Sequence, residues 1–396
     1  MTTTISRFKV LFAGISSLVL MVGIARFSYT PLLVIMQEQA SLGIAESGWL
    51  ATINYLGYFS GAIIASQIKD LVLKDTLFRI GLVLAVLTTA GMGLTQNVWL
   101  WTFLRFIAGL CSAAGLLLGS GLVLHWLLRH NFKAELGIHF IGMGLGIAVC
   151  ALVVELLSNF VTWDYQWFML SALGVFILIP AWRWLPRPEI TSVTKNGTAL
   201  FDNPPSTLYL RVFMAAYFCA GVGYVVGITF IVAFVDLLPG FKGQGSWVYL
   251  VLGLFATPAC IVWDLIARKT GHIDALIGAF LLQVIGIVLP LFSANLLTVF
   301  IGAALFGFSF IGIVSLVLTM AGKFYPTRPA TMMGKMTITY GIAQIIAPAL
   351  TGVLAEYWGS YNLGFYIAAT VMLIGVGFML LLRIIEKQQL NPLRNS

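Results

Sequence analysis

The chain has 396 residues, of which 60% are hydrophobic and only 9% are charged. About a quarter of the residues of a soluble globular domain are charged, so this composition excludes a soluble protein and indicates one that crosses a membrane many times. The formal net charge of +8 would suit a nucleic-acid binder, but the distribution of the basic residues argues against that class.

Twelve apolar segments follow one another along the chain, each long enough to cross a bilayer as a helix. Such a helix needs about 20 apolar residues to cross about 30 Å of hydrocarbon, because its backbone polar groups must bond to one another there. The segments lie near residues 10–36, 46–68, 77–95, 98–124, 136–158, 165–185, 209–235, 246–267, 273–292, 296–321, 331–355 and 360–384. The sequence therefore predicts an all-α membrane protein with 12 transmembrane helices.

The basic residues are concentrated on one side of this predicted bundle. Of the 22 lysines and arginines, 19 fall in the two termini and in every second loop, and Lys242 stands alone on the other side. Because basic loops are retained in the cytoplasm, both termini are predicted to be cytoplasmic. Topology thus explains the positive charge, and no nucleic-acid partner is expected.

The longest polar stretch, 186–208, lies between the sixth and seventh segments and is rich in Pro, Thr and Asn. It predicts a cytoplasmic linker between two six-helix bundles, 1–185 and 209–396. A constant offset of 197 or 198 residues indicates a duplicated fold whose halves share one orientation. The residues that carry this offset are Gly23 and Gly221, Trp49 and Trp247, Gly137 and Gly334, and Gly144 and Gly341.

The stretch GIARFSYTPLL places Arg26 inside the first apolar segment, ten residues from its end at 36. That distance is about 15 Å of helix, and an arginine at such depth costs about 3 kcal/mol on insertion scales. One hypothesis is that Arg26 binds an anionic solute, because a guanidinium holds a carboxylate with two parallel hydrogen bonds. The alternative is a permanent structural pair with an acid or with helix-end carbonyls. Tyr29 shares the face of Arg26, and Pro31 frees a backbone carbonyl.

Arg105 in helix 4 and Glu155 in helix 5 form a second candidate site. Their depths differ by about 6 Å at helical rise, so a pair between these antiparallel neighbours is possible. A carboxylate that alternates between water and a basic partner has the chemistry that proton coupling requires. The alternative is a static salt bridge that joins helix 4 to helix 5.

Further polar residues are predicted either to line a central cavity or to be satisfied at helix interfaces. Asn54 and Tyr58 share one face of helix 2, and Tyr340 and Gln344 share one face of helix 11. Tyr224 occupies the position that the offset pairs with Arg26. The predicted solute-binding set is Arg26, Tyr29, Asn54, Tyr58, Arg105, Tyr224, Tyr340 and Gln344.

Two motifs and the 6+6 arrangement carry a resemblance to a known family. Arg105-Phe-Ile-Ala-Gly109, followed by Cys-Ser-Ala113, looks like the R-x-x-x-G-x-x-x-A motif of the major facilitator superfamily of secondary transporters. The loop from Asp264 to Gly271 looks like a degraded form of its G-x-x-x-D-R/K-x-G gating motif, whereas the matching 2–3 loop departs further, with Ala65 where the family has Asp. The stretches GIARFSYTPLL, SGWLATINYLGYFSGA and AYFCAGVGYVVGITFI are similar to the YbfB/YjiJ-type branch of bacterial inner-membrane facilitators.

The resemblance implies a pseudo-symmetric bundle with a central cavity, working by alternating access in the bacterial inner membrane. It also implies a gating salt bridge between Asp264 and Arg268. Together with the buried arginines, it predicts a monomeric, proton-coupled importer of a small carboxylate-bearing solute, such as a polycarboxylate metabolite or a siderophore. No cofactor or metal is expected.

Four other functions are weighed against this one. The main alternative is a proton antiporter that exports a metabolite or drug; helix 5 lacks the Gly-Pro pair of the drug-exporter signature, which weakens drug export without excluding it and favours import only slightly. A non-transporting receptor or a passive channel is compatible with the same segments. An intramembrane enzyme is disfavoured because the four histidines fall at the predicted cytoplasmic ends of helices and form no cluster.

Overall fold

The computed structural model describes residues 6–130, 132, 136–188, 202–292, 295–325 and 329–390. Within these ranges the chain forms twelve helices and no strand. They are α1 Arg7–Gln39, α2 Ile44–Gln67, α3 Leu71–Gly93, α4 Val98–Arg129, α5 Leu136–Leu157, α6 Trp163–Trp184, α7 Thr207–Asp236, α8 Gly245–Thr270, α9 His272–Phe292, α10 Leu296–Phe324, α11 Pro329–Trp358 and α12 Asn362–Leu390.

Each predicted segment corresponds to one of these helices, which confirms the all-α fold. Among the described residues, ten helices are long and apolar enough to cross a membrane. The other two are α2 and α3, with 24 and 23 residues. The chain is a multi-pass membrane protein.

The third helix begins earlier than the hydropathy pattern predicts, at Leu71 rather than near 77. Its first turns contain Asp75, which the predicted segment leaves out, and Arg79, which that segment includes near its start. The two side chains are buried and form an ion pair, with Arg79 Nε 3.1 Å from Asp75 Oδ2. Because the charges pair within one helix and Asp70 accepts from the Val72 amide at its start, the helix extends through them.

Two long seams join the first six helices, the first half, to the last six, the second half. One seam lies between α2 and α11, and the other lies between α5 and α8. Glycines let the backbones approach closely there. A Cβ added to Gly144 of α5 would lie 2.4 Å from the amide nitrogen of Thr257 in α8, and one added to Gly253 of α8 would lie 2.5 Å from the amide nitrogen of Ala148 in α5.

Equivalent contacts recur in the two seams at the offset found in the sequence. A Cβ on Gly137 would lie 3.3 Å from the carbonyl oxygen of Cys260, and a Cβ on Gly334 would lie 3.3 Å from that of Ala62. Gly334 follows Gly137 by 197 residues, and Cys260 follows Ala62 by 198. These paired contacts support a duplicated architecture. The division at 186–208 stays a prediction, and residues 189–201 of that linker lie outside the described residues.

The α2–α11 seam is closed at both ends in this conformation. Where α2 begins, a Cβ on Gly48 would lie 3.4 Å from Gly352 Cα, and where α2 ends, a Cβ on Gly334 would lie 3.0 Å from Ser66 Cβ. The side chains of Tyr58 and Tyr340, predicted to line a central cavity, are buried between the halves. An open cavity would therefore require a seam to part.

Candidate functional site

The helix that carries Arg26 departs from regular α-helical geometry at that residue. Residues Val19–Phe27 form a π-helical stretch within α1, and the Ser28 amide donates to the Gly23 carbonyl five residues back at 3.2 Å. The Ser28 hydroxyl donates to the Ile24 carbonyl at 2.5 Å. Wide turns of this kind are rare in proteins, and those that occur often lie at functional sites. Here the wide turn leaves backbone carbonyls for other partners.

The Arg26 guanidinium lies at the interface between the halves, among aromatic rings and one amide. Its Nη2 donates to Gln344 Oε1 of α11 at 3.1 Å. Its Cζ lies 4.4 Å from the ring centroid of Tyr58 and 4.6 Å from that of Tyr55, both on α2. The side chain is only 5% exposed, and its Nε has no hydrogen-bond partner. Cation–π contacts and one neutral amide thus surround the charge.

Arg105 lies next to this group and binds the backbone of α1. Its Nη1 donates to the carbonyls of Ala25 at 3.3 Å and Arg26 at 3.4 Å, and its Cζ lies 4.4 Å from the Tyr29 ring centroid. Backbone carbonyls were the alternative partners predicted for Arg26, but in the structure it is Arg105 that binds them. Arg105 holds the wide turn of α1 in place.

Within the described residues, no carboxylate pairs with either buried arginine. The two guanidiniums are near enough to repel one another, and the Nε of Arg105, like that of Arg26, has no hydrogen-bond partner. A buried charge normally requires an opposite charge or a full set of hydrogen bonds. The site therefore has excess positive charge that an anion would balance.

Asn54 and Tyr29 lie beside Arg105 and hold the helices around it. Asn54 Nδ2 donates to the Arg105 carbonyl at 2.8 Å, and the Tyr29 hydroxyl donates to the Ser47 carbonyl at 3.0 Å. A Cβ on Gly109, the glycine of the predicted helix-4 motif, would lie 2.0 Å from the Asn54 carbonyl oxygen. That glycine thus permits the close contact of α2 with α4.

A stack of tyrosines from the second half faces the arginine. The ring centroids of Tyr224 and Tyr340 are 5.4 Å apart, and those of Tyr217 and Tyr340 are 4.5 Å apart, with both pairs nearly parallel. Tyr217 was not among the predicted residues, although it lies seven residues before Tyr224 on the same face of α7. Tyr55 was also missed, because it lies beside Asn54 and off the face that Asn54 shares with Tyr58.

Neutral hydrogen bonds join the two halves around the site. The Tyr55 hydroxyl bonds to Thr229 Oγ1 at 2.9 Å, and the Thr30 hydroxyl donates to the Ile228 carbonyl at 3.0 Å. The Tyr249 hydroxyl donates to the Phe27 carbonyl at 3.3 Å. Pro31 lacks the amide hydrogen that a regular helix would direct at this carbonyl, so the sequence inference of a freed carbonyl is consistent with this contact.

The structure does not bring Glu155 to Arg105. Glu155 lies near the end of α5, half-buried beside Ser246 and Trp247 at the start of α8. Arg105 instead points at α1, because the wide turn presents two carbonyls to it. The predicted Arg105–Glu155 pair is therefore absent from this conformation, and Glu155 lies at one end of the α5–α8 seam.

The predicted ion pair between Asp264 and Arg268 is present at the other end of that seam. Arg268 Nη2 lies 2.5 Å from Asp264 Oδ2, one helical turn apart on α8. A Cβ on Gly137 of α5 would lie 3.9 Å from Asp264 Cβ. The pair thus lies where the two halves meet, and its gating role stays a prediction.

Twelve helices in two halves that meet at two seams, around a buried polar site, define a membrane transporter of the major facilitator type. The family model described as "Uncharacterised MFS-type transporter YbfB" matches residues 18–380. The chain belongs to that family, and its relatives are transporters rather than enzymes.

Relatives of the chain include transporters that are named for a solute. The chain is 24% identical over 386 residues to the uncharacterised MFS-type transporter YceJ of Bacillus subtilis, covering 92% of this chain and 87% of that protein. It is 24% identical over 374 residues to the putative niacin/nicotinamide transporter NiaP of Bacillus subtilis, covering 91% of each. It is 25% identical over 336 residues to the probable sulfoacetate transporter SauU of Cupriavidus necator, covering 77% of this chain and 76% of that protein.

The crystal structure of the nucleoside transporter NupG superposes with a TM-score of 0.67 at 13% sequence identity, over 94% of this chain and 98% of that one. At this identity the likeness shows the fold alone.

Proposed function

We propose that this transporter moves a small organic anion through the interface between its halves by alternating access. The observation that carries the proposal is a pair of buried arginines at that interface with no carboxylate partner among the described residues. Such charges are expensive in a membrane unless they face a partner or a watery cavity. Two relatives are named for niacin/nicotinamide and for sulfoacetate; niacin and sulfoacetate are small organic anions at neutral pH, whereas nicotinamide is neutral.

Arg26 is the proposed anion-binding group. A carboxylate or sulfonate would replace the amide oxygen of Gln344 as its acceptor, and a bidentate pair would also use the unpartnered Nε. Tyr58, Tyr224 and Tyr340 would form the walls around the rest of the solute. Arg105 would position Arg26 by holding its backbone carbonyl.

The coupling and direction are part of the same proposal. Glu155 meets Ser246 and Trp247 where α5 and α8 close, so parting of the seam would expose its carboxylate to water. A carboxylate whose surroundings change between two conformations can bind and release a proton. We propose proton-coupled import by a monomer in the bacterial inner membrane, with both termini cytoplasmic.

The test is uptake of nicotinate and of sulfoacetate into proteoliposomes that contain the purified protein. Arg26→Lys keeps the charge but loses the planar fork, so we expect uptake to fall at least tenfold. Arg183→Lys, at an exposed arginine of α6, is the matched control and is expected to transport like the wild type. Full uptake by Arg26→Lys would exclude a bidentate clamp at this residue. Absence of saturable uptake or counterflow with an anion panel would exclude anion transport.

A further inference from the structure

A groove on the outer surface of the first half lies between α3 and the end of α6. It has a volume of about 360 Å³. Five of its residues lie on one face of α3, and the other two belong to α6 and to the segment that follows it. The lining residues are Thr76, Arg79, Ile80, Val83, Leu84, Trp182 and Arg187.

One end of the groove holds two arginines that share one acid. All three nitrogens of Arg79 have partners: its Nε lies 3.1 Å from Asp75 Oδ1 and Oδ2, and its Nη1 and Nη2 donate to the carbonyls of Trp182 at 2.7 Å and Leu185 at 2.8 Å. Arg187 Nη1 also bonds to Asp75. Two positive charges therefore face one negative charge, which leaves an excess of one positive charge.

Arg187 is the arginine whose donors are accessible. Its side chain is 65% exposed, whereas that of Asp75 is only 1% exposed. One of its five N–H donors is directed to Asp75, which anchors the guanidinium at the mouth of the groove. Because most of the side chain is exposed, a phosphate could accept from the remaining donors.

The rest of the groove is apolar and exposed. Ile80, Val83 and Leu84 follow Arg79 along α3, so polarity falls from the start of the helix toward its middle. Ile80 and Val83 are exposed, and Trp182 lies at the same level as the arginines, where indole rings are enriched at membrane surfaces. This order of charge, indole and aliphatic side chains matches the order of phosphate, glycerol and acyl chain in a phospholipid.

We infer that this groove binds one anionic phospholipid, with the phosphate on Arg187 and one acyl chain along Ile80, Val83 and Leu84. Arg79 and Asp75 position Arg187 and do not contact the lipid phosphate. The basic end lies at the membrane face that is predicted to be cytoplasmic, and basic pockets between helices on that face suit anionic headgroups. The inference is independent of the transported solute.

The test is thermal unfolding of the full-length protein in neutral detergent, titrated with short-chain phosphatidylglycerol or with phosphatidylcholine of the same chain length. The wild type is expected to be stabilised by phosphatidylglycerol at lower concentrations than by phosphatidylcholine. Arg187→Gln is expected to weaken the phosphatidylglycerol response about fivefold to tenfold, whereas Arg187→Lys keeps the charge and most of the response. Arg183→Gln, an exposed arginine near the same helix end that does not line the groove, should respond like the wild type.

Several outcomes would overturn the inference. An equal response of the wild type to both lipids would show that the groove does not prefer an anionic lipid. An equally weakened phosphatidylglycerol response in Arg187→Gln and Arg183→Gln would show a general effect of surface charge and no specific site. Val83→Trp fills the apolar part of the groove. An unchanged phosphatidylglycerol response in that variant would show that no acyl chain binds there. Stabilisation of the wild type by soluble glycerol phosphate, lost in Arg187→Gln, would show a site for a free anion instead of a lipid.

Discussion

At the scale of single residues, the decisive feature is that Arg26 is held by a neutral partner across the interface. A carboxylate in place of Gln344 would balance the charge permanently, whereas an amide oxygen bonds to it without neutralising it. Under the proposed mechanism, such a partner would hold the site closed without solute and would give way to an anionic solute. The cation–π contacts with Tyr55 and Tyr58 act in the same way, since aromatic rings attract the charge without neutralising it.

Gln344→Glu tests this argument at the same residue. The new carboxylate would form a buried ion pair with Arg26, so we expect the thermal unfolding temperature to rise and transport of an anionic probe to fall at least tenfold. Gln344→Met, which removes the acceptor without adding charge, is the control and should not be stabilised. Transport at the wild-type rate by Gln344→Glu would show that the Arg26 guanidinium does not have to be available to the solute.

At the scale of helices, local signals determined where the elements lie, and charge pairing extended one of them. Asn97 and Asn295 cap the starts of α4 and α10 by accepting from the amides that follow. The start of α3 was misplaced because Asp75, which precedes residue 77, counted as a solvent-exposed charge, although it pairs with Arg79 within about one turn. Hydropathy measures each residue separately, whereas the cost of burying a charge depends on its partner.

Glycines at the seams allow the helices of opposite halves to meet. Gly144→Ala would place a Cβ 2.4 Å from the amide nitrogen of Thr257 and 2.5 Å from the carbonyl carbon of Ala256. Because these are backbone atoms that cannot rotate away, α5 and α8 must separate, at a cost of about 1–3 kcal/mol. We expect a thermal unfolding temperature several degrees lower. Gly377→Ala, where nothing lies within 4 Å, is the helical control. An equal drop in the unfolding temperature for both substitutions would show that the loss at Gly144 does not come from the seam contact.

At the scale of the whole molecule, the two halves repeat each other in contacts but not in charge. Gly23 meets Gly146 between α1 and α5, and Gly221 meets Ala343 at the equivalent place between α7 and α11. The small residues at these contacts are thus repeated in both halves. The arginine is not repeated, because the position equivalent to Arg26 in the second half is Tyr224. The site therefore has a charged side in the first half and an aromatic and amide side in the second, so the two walls differ in what they can bind.

The proposed proton coupling would depend on this whole arrangement and is tested at Glu155. Glu155→Gln should still exchange labelled for unlabelled anion, because Arg26 is intact. It should no longer accumulate anion when a pH gradient is imposed on proteoliposomes, because the amide cannot carry a proton. The control is Glu356→Gln. Glu356 is exposed and lies near the C-terminal end of α11, as Glu155 lies near the C-terminal end of α5. Unchanged accumulation by Glu155→Gln would assign the coupling to another group.

The twelve helices could be predicted from the amino-acid sequence alone, and so could the constant offset between the halves and the position of Arg26 along α1. These features follow from the thickness of the hydrocarbon and from residue spacing along one helix, both of which are local. Three contacts could be found only from the packing of the helices: Arg26 with Gln344, Arg105 with the carbonyls of α1, and Glu155 with the start of α8. Depth along a helix says nothing about its rotation or about which helix faces it, and the rotation of α1 and α4 was set by backbone contacts at glycines and by a wide turn.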